Sequence, residues 1–150
     1  EAWLSSKAIE MGWELLIVGN GPLKDQIISA KGVKVMDFMS TIELAELSKE
    51  CGCFILPSIK EPWGVVIHEF TAAGLPIICT KSVGASERFV INQGNGIIIP
   101  NSSVENIRYG IEEILKKSER DLYEMSILSN SLSKRITPLT SALNLVSIIK

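Results

Sequence analysis

The sequence predicts an α/β domain of the doubly wound, Rossmann-like kind, built on a parallel sheet. Three observations carry this. Short apolar runs rich in Ile and Val recur along the chain, each bounded by Gly or Pro, as strands buried on both faces are. Segments with helical spacing of apolar residues lie between them. Such alternation calls for β-α-β units, whose crossovers are right-handed and whose sheet is parallel.

The first strand is WELLIVG, Trp13–Gly19, ending in glycine. PLKDQIISA follows, with Pro22 near a first helical turn, where its missing N–H costs nothing. VKVMDF (Val33–Phe38) is the second strand, shorter and mixed. STIELAELSKE takes Ser40 or Thr41 as N-cap and presents Ile42, Leu44, Ala45 and Leu47 as an apolar stripe. CFILPS (Cys53–Ser58) is the third strand, and GVVIHEFTAAG a helix ending at Gly74. PIICT (Pro76–Thr80) and NGIIIP (Asn95–Pro100) complete the strands. SSVENIRYGIEEILKK spaces Val104, Ile107, Ile111 and Leu115 helically, with Ser103 and Asn106 as a weak cap. Glu119 to Lys150 reads as two helices broken before Pro138. No repeat, low-complexity run or interdomain linker interrupts the pattern.

At 150 residues the chain suffices for one domain and is short for two. Hydrophobic residues make up 46% and charged residues 21%, with a net charge of -2. No basic tract exists to neutralise phosphates, which excludes nucleic acid as a partner. No apolar run has the length of a membrane span. The opening EAWLSSKAIEMG reads as the interior of a longer polypeptide, so an N-terminally truncated domain is expected. Cys51, Cys53 and Cys79 lack zinc-like spacing and read as reduced, buried thiols of a reducing cytoplasm.

In doubly wound sheets ligands sit beyond the C-terminal strand ends. That rule selects GNGP after the first strand, PSIKEPWG after the third and TKSVGASE after the fourth. In VGNGPL, Gly19 and Gly21 let a ligand approach the backbone near a helix start. The third glycine of a dinucleotide fingerprint is absent, Lys24 standing in its place, and a plain tight turn explains the pair equally well. In PSIKEPWGVVIHEF, Glu61 precedes proline and must be extended. The helix beginning at Trp63–Val65 leaves amides uncovered at Gly64, a setting that attracts phosphate.

Glu69 lies among Val65, Val66, Ile67, Phe70, Ala72 and Ala73, so a largely buried helix is expected. There an unpaired carboxylate is costly, since even a neutral polar group loses about 2–7 kcal/mol. A ligand diol meets that need, because one carboxylate accepts from two hydroxyls. Phosphates on the amides between two hydroxyl-binding glutamates describe a sugar nucleotide. Spacing alone fits a capped helix with both glutamates in solvent equally well.

The stretch FILPSIKEPWGVVIHEFTAAGLPIICT closely resembles the signature of the retaining GT-B glycosyltransferases of the large family 4 group. LLIVGNGPL before it and VGASERFVINQGNGIIIP after it match flanking elements in order, so the likeness runs from about Trp13 to Leu115. It implies the C-terminal, nucleotide-sugar-binding half of a GT-B enzyme that transfers a hexose to a glycan or lipid acceptor. By position, the catalytic Glu61 would contact hydroxyls of the transferred sugar, and Glu69 the ribose hydroxyls. Trp63, Gly64, Val65 and Val66 would meet sugar and diphosphate through their backbone. Gly19 and Gly21 would line the cleft, and Phe38 and Met39 would lie against the base. The resemblance implies no cofactor and no metal, and Asp25, Asp37 and Asp121 form no D-x-D pair.

The likeness has departures. The family's diphosphate-clamping Gly-Arg stretch and lysine would precede this chain, and Lys24 and Lys60 read as ordinary solvated lysines. Ala85 stands where relatives often carry a second glycine. The acceptor domain is expected outside the chain, and the isolated fragment is expected to be inactive. Cytoplasmic placement and cell-envelope glycan synthesis fit the likeness, with any contact to the inner membrane face made by the absent half. His68 reads as a packed or surface residue rather than a base, and Trp3 and Trp13 as packing residues. Two alternatives remain open, a GT-B nucleotide-sugar epimerase and a non-catalytic nucleotide-sugar-binding module. A dinucleotide-dependent oxidoreductase is disfavoured by the incomplete glycine pattern.

Overall fold

The computed structural model describes residues 1–148. After a run of turns, five strands alternate with helices: β1 (Leu15–Val18), α1 (Lys24–Ile27), β2 (Val33–Met36), α2 (Thr41–Ser48), β3 (Phe54–Leu56), α3 (Val65–Ala72), β4 (Ile77–Thr80), α4 (Ser86–Phe89) and β5 (Gly96–Ile99). Helices α5 (Val104–Leu115), α6 (Glu119–Ser133) and α7 (Pro138–Ile148) complete the chain. The five strands fall inside the apolar runs, and every ladder is parallel. The four-residue α4, too short to show a helical period, is an addition to the sequence reading.

Local chemistry explains the helix boundaries. Ser40 caps α2 and forms a reciprocal capping box with Glu43. The Ser103 hydroxyl accepts from the Asn106 N–H at 3.3 Å at the start of α5. Ser118 and Asp121 build a second capping box on α6. Beyond α3, Gly74 takes the left-handed conformation (φ 82°) that suits glycine at a helix end.

The ladders form two groups, β1–β2 and β3–β4–β5. Strand β4, with neighbours on both sides, is buried at all four residues. All four residues of β1 and all three of β3 are only half-buried, because no ladder joins these two strands. Sheet alternation divides the core. Ile78 packs with Ile97, Ile111 and Trp3, whereas Ile77 and Cys79 pack on the opposite face with Ile67 and Phe89. Trp3 and Trp13 are packing residues as expected; the Trp13 ring lies where a Cβ on Gly52 would come within 2.6 Å of it. Burial pushes the Cys79 thiol up to about 12.

A buried polar knot locks the second layer. Asn95, fully buried, accepts from the Ile91 N–H at 2.7 Å and donates to the Phe89 carbonyl at 3.0 Å and the Ser129 hydroxyl at 2.9 Å. Ser129 in turn donates to the Leu75 carbonyl at 2.7 Å. One side chain thus ties the turn before β5 to α6 and the end of α3. Asn95→Ala leaves these groups unpaired in a dry site, and each such group costs roughly 1–3 kcal/mol. Urea unfolding is expected to show a loss of about 3 kcal/mol or more for Asn95→Ala, and a smaller one for Ser129→Ala.

Candidate functional site

The loop between β3 and α3 is held by the loop that follows β4. Thr80 donates its hydroxyl hydrogen to the Ser58 carbonyl at 2.6 Å. The Glu61 N–H donates to the Ser82 carbonyl at 3.3 Å, and Gly84 N–H donates back to the Glu61 carbonyl at 3.0 Å. Ala85 N–H then donates to the Trp63 carbonyl at 2.7 Å. Together with the parallel bridge from Glu61 to Val83, these bonds hold the main chain of Glu61 extended, as the following proline requires.

Two glycines make this approach possible. Gly64 lies at φ 85°, and a Cβ there would stand 3.0 Å from Glu61 Cγ and from Val83 Cγ1. Gly84 packs directly on the Pro62 carbonyl, leaving no room for a Cβ. Sequence reasoning had not singled out Gly84, Val83 or Thr80. The signal was available in TKSVGASE, a strand-end loop with one glycine, but nothing in it named the partner loop. Ala85, noted for lacking a glycine, is fully buried and turned toward Trp63 through its amide.

Helix α3 starts at left-handed Gly64 with no side chain capping it. Its first hydrogen bond runs from the Ile67 N–H to the Gly64 carbonyl at 3.0 Å. The amides of Val65 and Val66, like all first-turn amides, lack an intrahelical acceptor, and their end of the helix carries partial positive charge. Glu61 is half-buried beside this turn. Trp63 is 44% exposed, its ring edge-on to Phe89 at 6.5 Å.

Glu69 departs from expectation. It is exposed rather than buried. The apolar residues around it in sequence are distributed about the helix at 100° steps. Ile67 and Thr71 point into the core and Phe70 stacks on Phe54 at 3.9 Å, while Val65, Glu69 and Ala72 share the exposed stripe. The desolvation argument for a ligand therefore does not hold at Glu69. Among the described residues neither the Glu61 nor the Glu69 carboxylate has a partner, so both are open to one. His68 is packed, stacked on Phe89 at 4.3 Å with Nε2 2.9 Å from the Ser133 carbonyl.

The remaining candidates stand at the end of the β1–β2 ladder. Gly19 (φ 124°) follows β1 and donates its N–H to the Met36 carbonyl at 3.0 Å. Gly19 and Gly21 both face open space. Lys24 is not an ordinary solvated lysine. At the start of α1 its ammonium donates to Asn20 Oδ1 at 2.8 Å and to Asp37 Oδ1 at 2.7 Å, tying the GNGP turn to the residue before Phe38. That hydrogen bond, and then the lysine's charge, hold the Asp37 carboxyl below its usual value. Phe38 is 83% exposed and Met39 half-buried. Phe38, Met39 and Val66 share the wall of a cleft of about 1360 Å³ between the two ladders, and neither Glu61 nor Glu69 lines it. Among the described residues no cluster of His, Cys, Asp and Glu could hold a metal, and no helix is long and apolar enough to cross a membrane.

Comparison with known proteins agrees with this architecture. The model of the family described as Glycosyl transferases group 1 matches residues 2–127. An uncharacterised glycosyltransferase of Methanocaldococcus jannaschii is 27% identical over 128 residues, covering 74% of this chain and 33% of that protein. The chain thus spans about a third of that relative's length. Among solved structures, sucrose-phosphate synthase from Thermosynechococcus elongatus superposes with a TM-score of 0.77 at 20% identity, over 91% of this chain and 37% of its own. Anabaena Alr3699/HepE, solved with UDP and glucose, gives a TM-score of 0.73 at 17% identity over 91% and 39%. The fold is that of GT-B glycosyltransferases.

The packing at Gly84 makes a direct test. In Gly84→Ala the new methyl meets a backbone carbonyl that cannot rotate away, so the Pro62 loop must shift, at a cost of about 1–3 kcal/mol. Amide NMR shifts should move at Glu61, Trp63 and Ala85, whereas Gly21→Ala, which faces open space, should leave those three unchanged.

Proposed function

Because the chain belongs to the family of group 1 glycosyl transferases, we propose that it is the donor-binding half of a retaining, family 4 type hexosyltransferase. The observation that carries this reading is the uncapped turn at Gly64–Val66 flanked by two unpartnered carboxylates, Glu61 and Glu69. The substrate is a nucleoside-diphosphate sugar. Amides of the α3 first turn meet the diphosphate, Glu69 accepts from the ribose hydroxyls, and Glu61 from hydroxyls of the transferred sugar. Phe38 and Met39 offer an apolar ledge for the base beyond Gly19 and Gly21. The UDP bound by the Anabaena neighbour makes a uridine nucleotide the first donor to try.

Transfer begins as the bond from the anomeric carbon to the diphosphate lengthens, leaving oxocarbenium-like charge on the sugar. The α3 amides stabilise the departing diphosphate. A phosphate oxygen on the same face takes the acceptor's proton, and configuration is retained. In this reading no residue of the chain acts as a nucleophile and no metal takes part. The acceptor, a glycan or lipid, would be held by a further domain of the whole protein, so this domain alone binds donor without transferring it. The protein would act in the cytoplasm, in cell-envelope glycan synthesis, and the other half would make any membrane contact.

Ligand-observed NMR with UDP, GDP, ADP, UDP-glucose and NADH tests the assignment. Glu69→Ala should weaken UDP and UDP-glucose alike, by about tenfold or more for loss of a charge-assisted pair of bonds. Glu61→Ala should weaken UDP-glucose and spare UDP; equal losses on both would refute the division of labour. Chelator should leave both affinities unchanged. Preference for NADH over every sugar nucleotide would sink the donor-domain reading itself.

A further inference from the structure

The dipeptide Asn-Gly occurs twice in the chain, at Asn20–Gly21 and at Asn95–Gly96. In this pairing an asparagine reacts most readily with its own backbone. Glycine puts no side chain in the way of the attacking nitrogen and adopts the backbone angles that ring closure requires. The fold holds the two pairs in opposite ways.

Asn20 and Gly21 are exposed, in the irregular turn between β1 and α1. The Gly21 N–H has no hydrogen-bond acceptor among the described residues, and the space where its Cβ would stand is open. The Lys24 ammonium donates to Asn20 Oδ1 at 2.8 Å and is itself anchored on Asp37 Oδ1 at 2.7 Å. When a nucleophile adds to Asn20 Cγ, negative charge gathers on that same Oδ1. A cation already fixed beside it stabilises the charge as it forms.

Asn95 stands under the reverse conditions. It is fully buried, its Oδ1 accepts from the Ile91 N–H, and its Nδ2 donates to the Phe89 carbonyl and the Ser129 hydroxyl. Gly96 is the first residue of β5 and packs directly on the Ile77 carbonyl. Ring closure at Asn95 would break all of its side-chain bonds in a dry site and leave their partners unpaired. The water needed to open such a ring is excluded as well.

We propose that Asn20 is a modification site: with the help of Lys24 it closes on Gly21 to a cyclic imide, which opens to aspartate and isoaspartate, while Asn95 stays an amide. The Gly21 nitrogen forms a bond to Asn20 Cγ and gives up its proton to water. The Cγ–Nδ2 bond breaks, and the nitrogen takes a proton from water and leaves as ammonia. Water then adds to one imide carbonyl. Addition at Cγ restores the main chain and leaves aspartate. Addition at the main-chain carbonyl leaves isoaspartate, whose backbone runs through the former side chain. Lys24 first, and the Asn20 amide after it, hold the Asp37 carboxyl below its usual value. Either product replaces that amide with a second carboxylate competing for Lys24, and isoaspartate also lengthens the turn between β1 and α1.

Peptide mapping by mass spectrometry, on the folded chain aged at neutral pH in heavy-oxygen water, tests this. Each conversion takes up one heavy oxygen, and electron-transfer fragmentation separates isoaspartate from aspartate. The expected result is conversion at Asn20 about tenfold or more faster than at Asn95. In the chain unfolded by guanidinium chloride the two sites should react at similar rates, so that the difference belongs to the fold. Gly21→Ala, whose methyl meets open space, should keep the fold and slow Asn20 by about tenfold. Lys24→Met, checked as folded by circular dichroism, should slow it by about threefold, the size of an exposed charge interaction. Equal rates at the two sites of the folded chain would overturn the proposal, as would an inert Asn20 in a chain that converts once unfolded. A Lys24→Met chain reacting as fast as its parent, or faster, would overturn the part given to Lys24. The readout is covalent and needs no ligand, so it is independent of donor binding.

Discussion

Strand β4 has to be paired on both edges and covered on both faces, and most of the molecule is arranged to satisfy it. Ile77 and Ile78 are essentially fully buried and face opposite layers. Each such side chain contributes about 1.5–3 kcal/mol relative to exposure. One face requires α3 and α4, the other α5 and the Trp3 segment. The site inherits its geometry from this arrangement. The hydroxyl of Thr80, the last residue of β4, holds the Ser58 carbonyl, and the chain leaving β4 supplies Ser82, Val83, Gly84 and Ala85 to the Glu61 loop. A carboxylate on an irregular loop is thus placed by a buried strand.

The strands were legible because their apolar runs are short and bounded by Gly and Pro. The caps were legible because Ser40 and Ser103 precede periodic stripes. The position of Glu61 in an extended loop followed from Pro62, and the uncovered amides of α3 from Gly64. What escaped reading is what depends on elements distant in sequence. Gly84 matters only because Pro62 lies against it, and no local pattern announces that. The exposure of Glu69 was misjudged from the hydrophobicity of its neighbours rather than from their angular positions. Lys24 was misjudged because Asp37, its partner, comes from another strand end. Periodicity reports which residues face a core and not which strand edges meet, so the two ladders were equally hidden.

The two ladders divide the candidate residues in a way that bears on ligand binding. Glu61, Trp63, Gly64, Val65, Val66 and Glu69 belong to the β3–β4–β5 group, fixed internally by the backbone bonds to the β4 loop and by the Asn95 knot. Gly19, Gly21, Phe38 and Met39 belong to the β1–β2 group, which is internally tied by Lys24 to Asp37. A base resting near Phe38 and a diphosphate on the α3 amides would connect one group to the other. The distance between these subsites is set across the gap between β1 and β3, not within either group. No ladder joins β1 to β3, so that distance rests on side chains such as Trp13, which leans on Gly52. On the proposed reading, sugar recognition by Glu61 is local to a rigid loop, whereas nucleotide recognition depends on how the two ladders are joined.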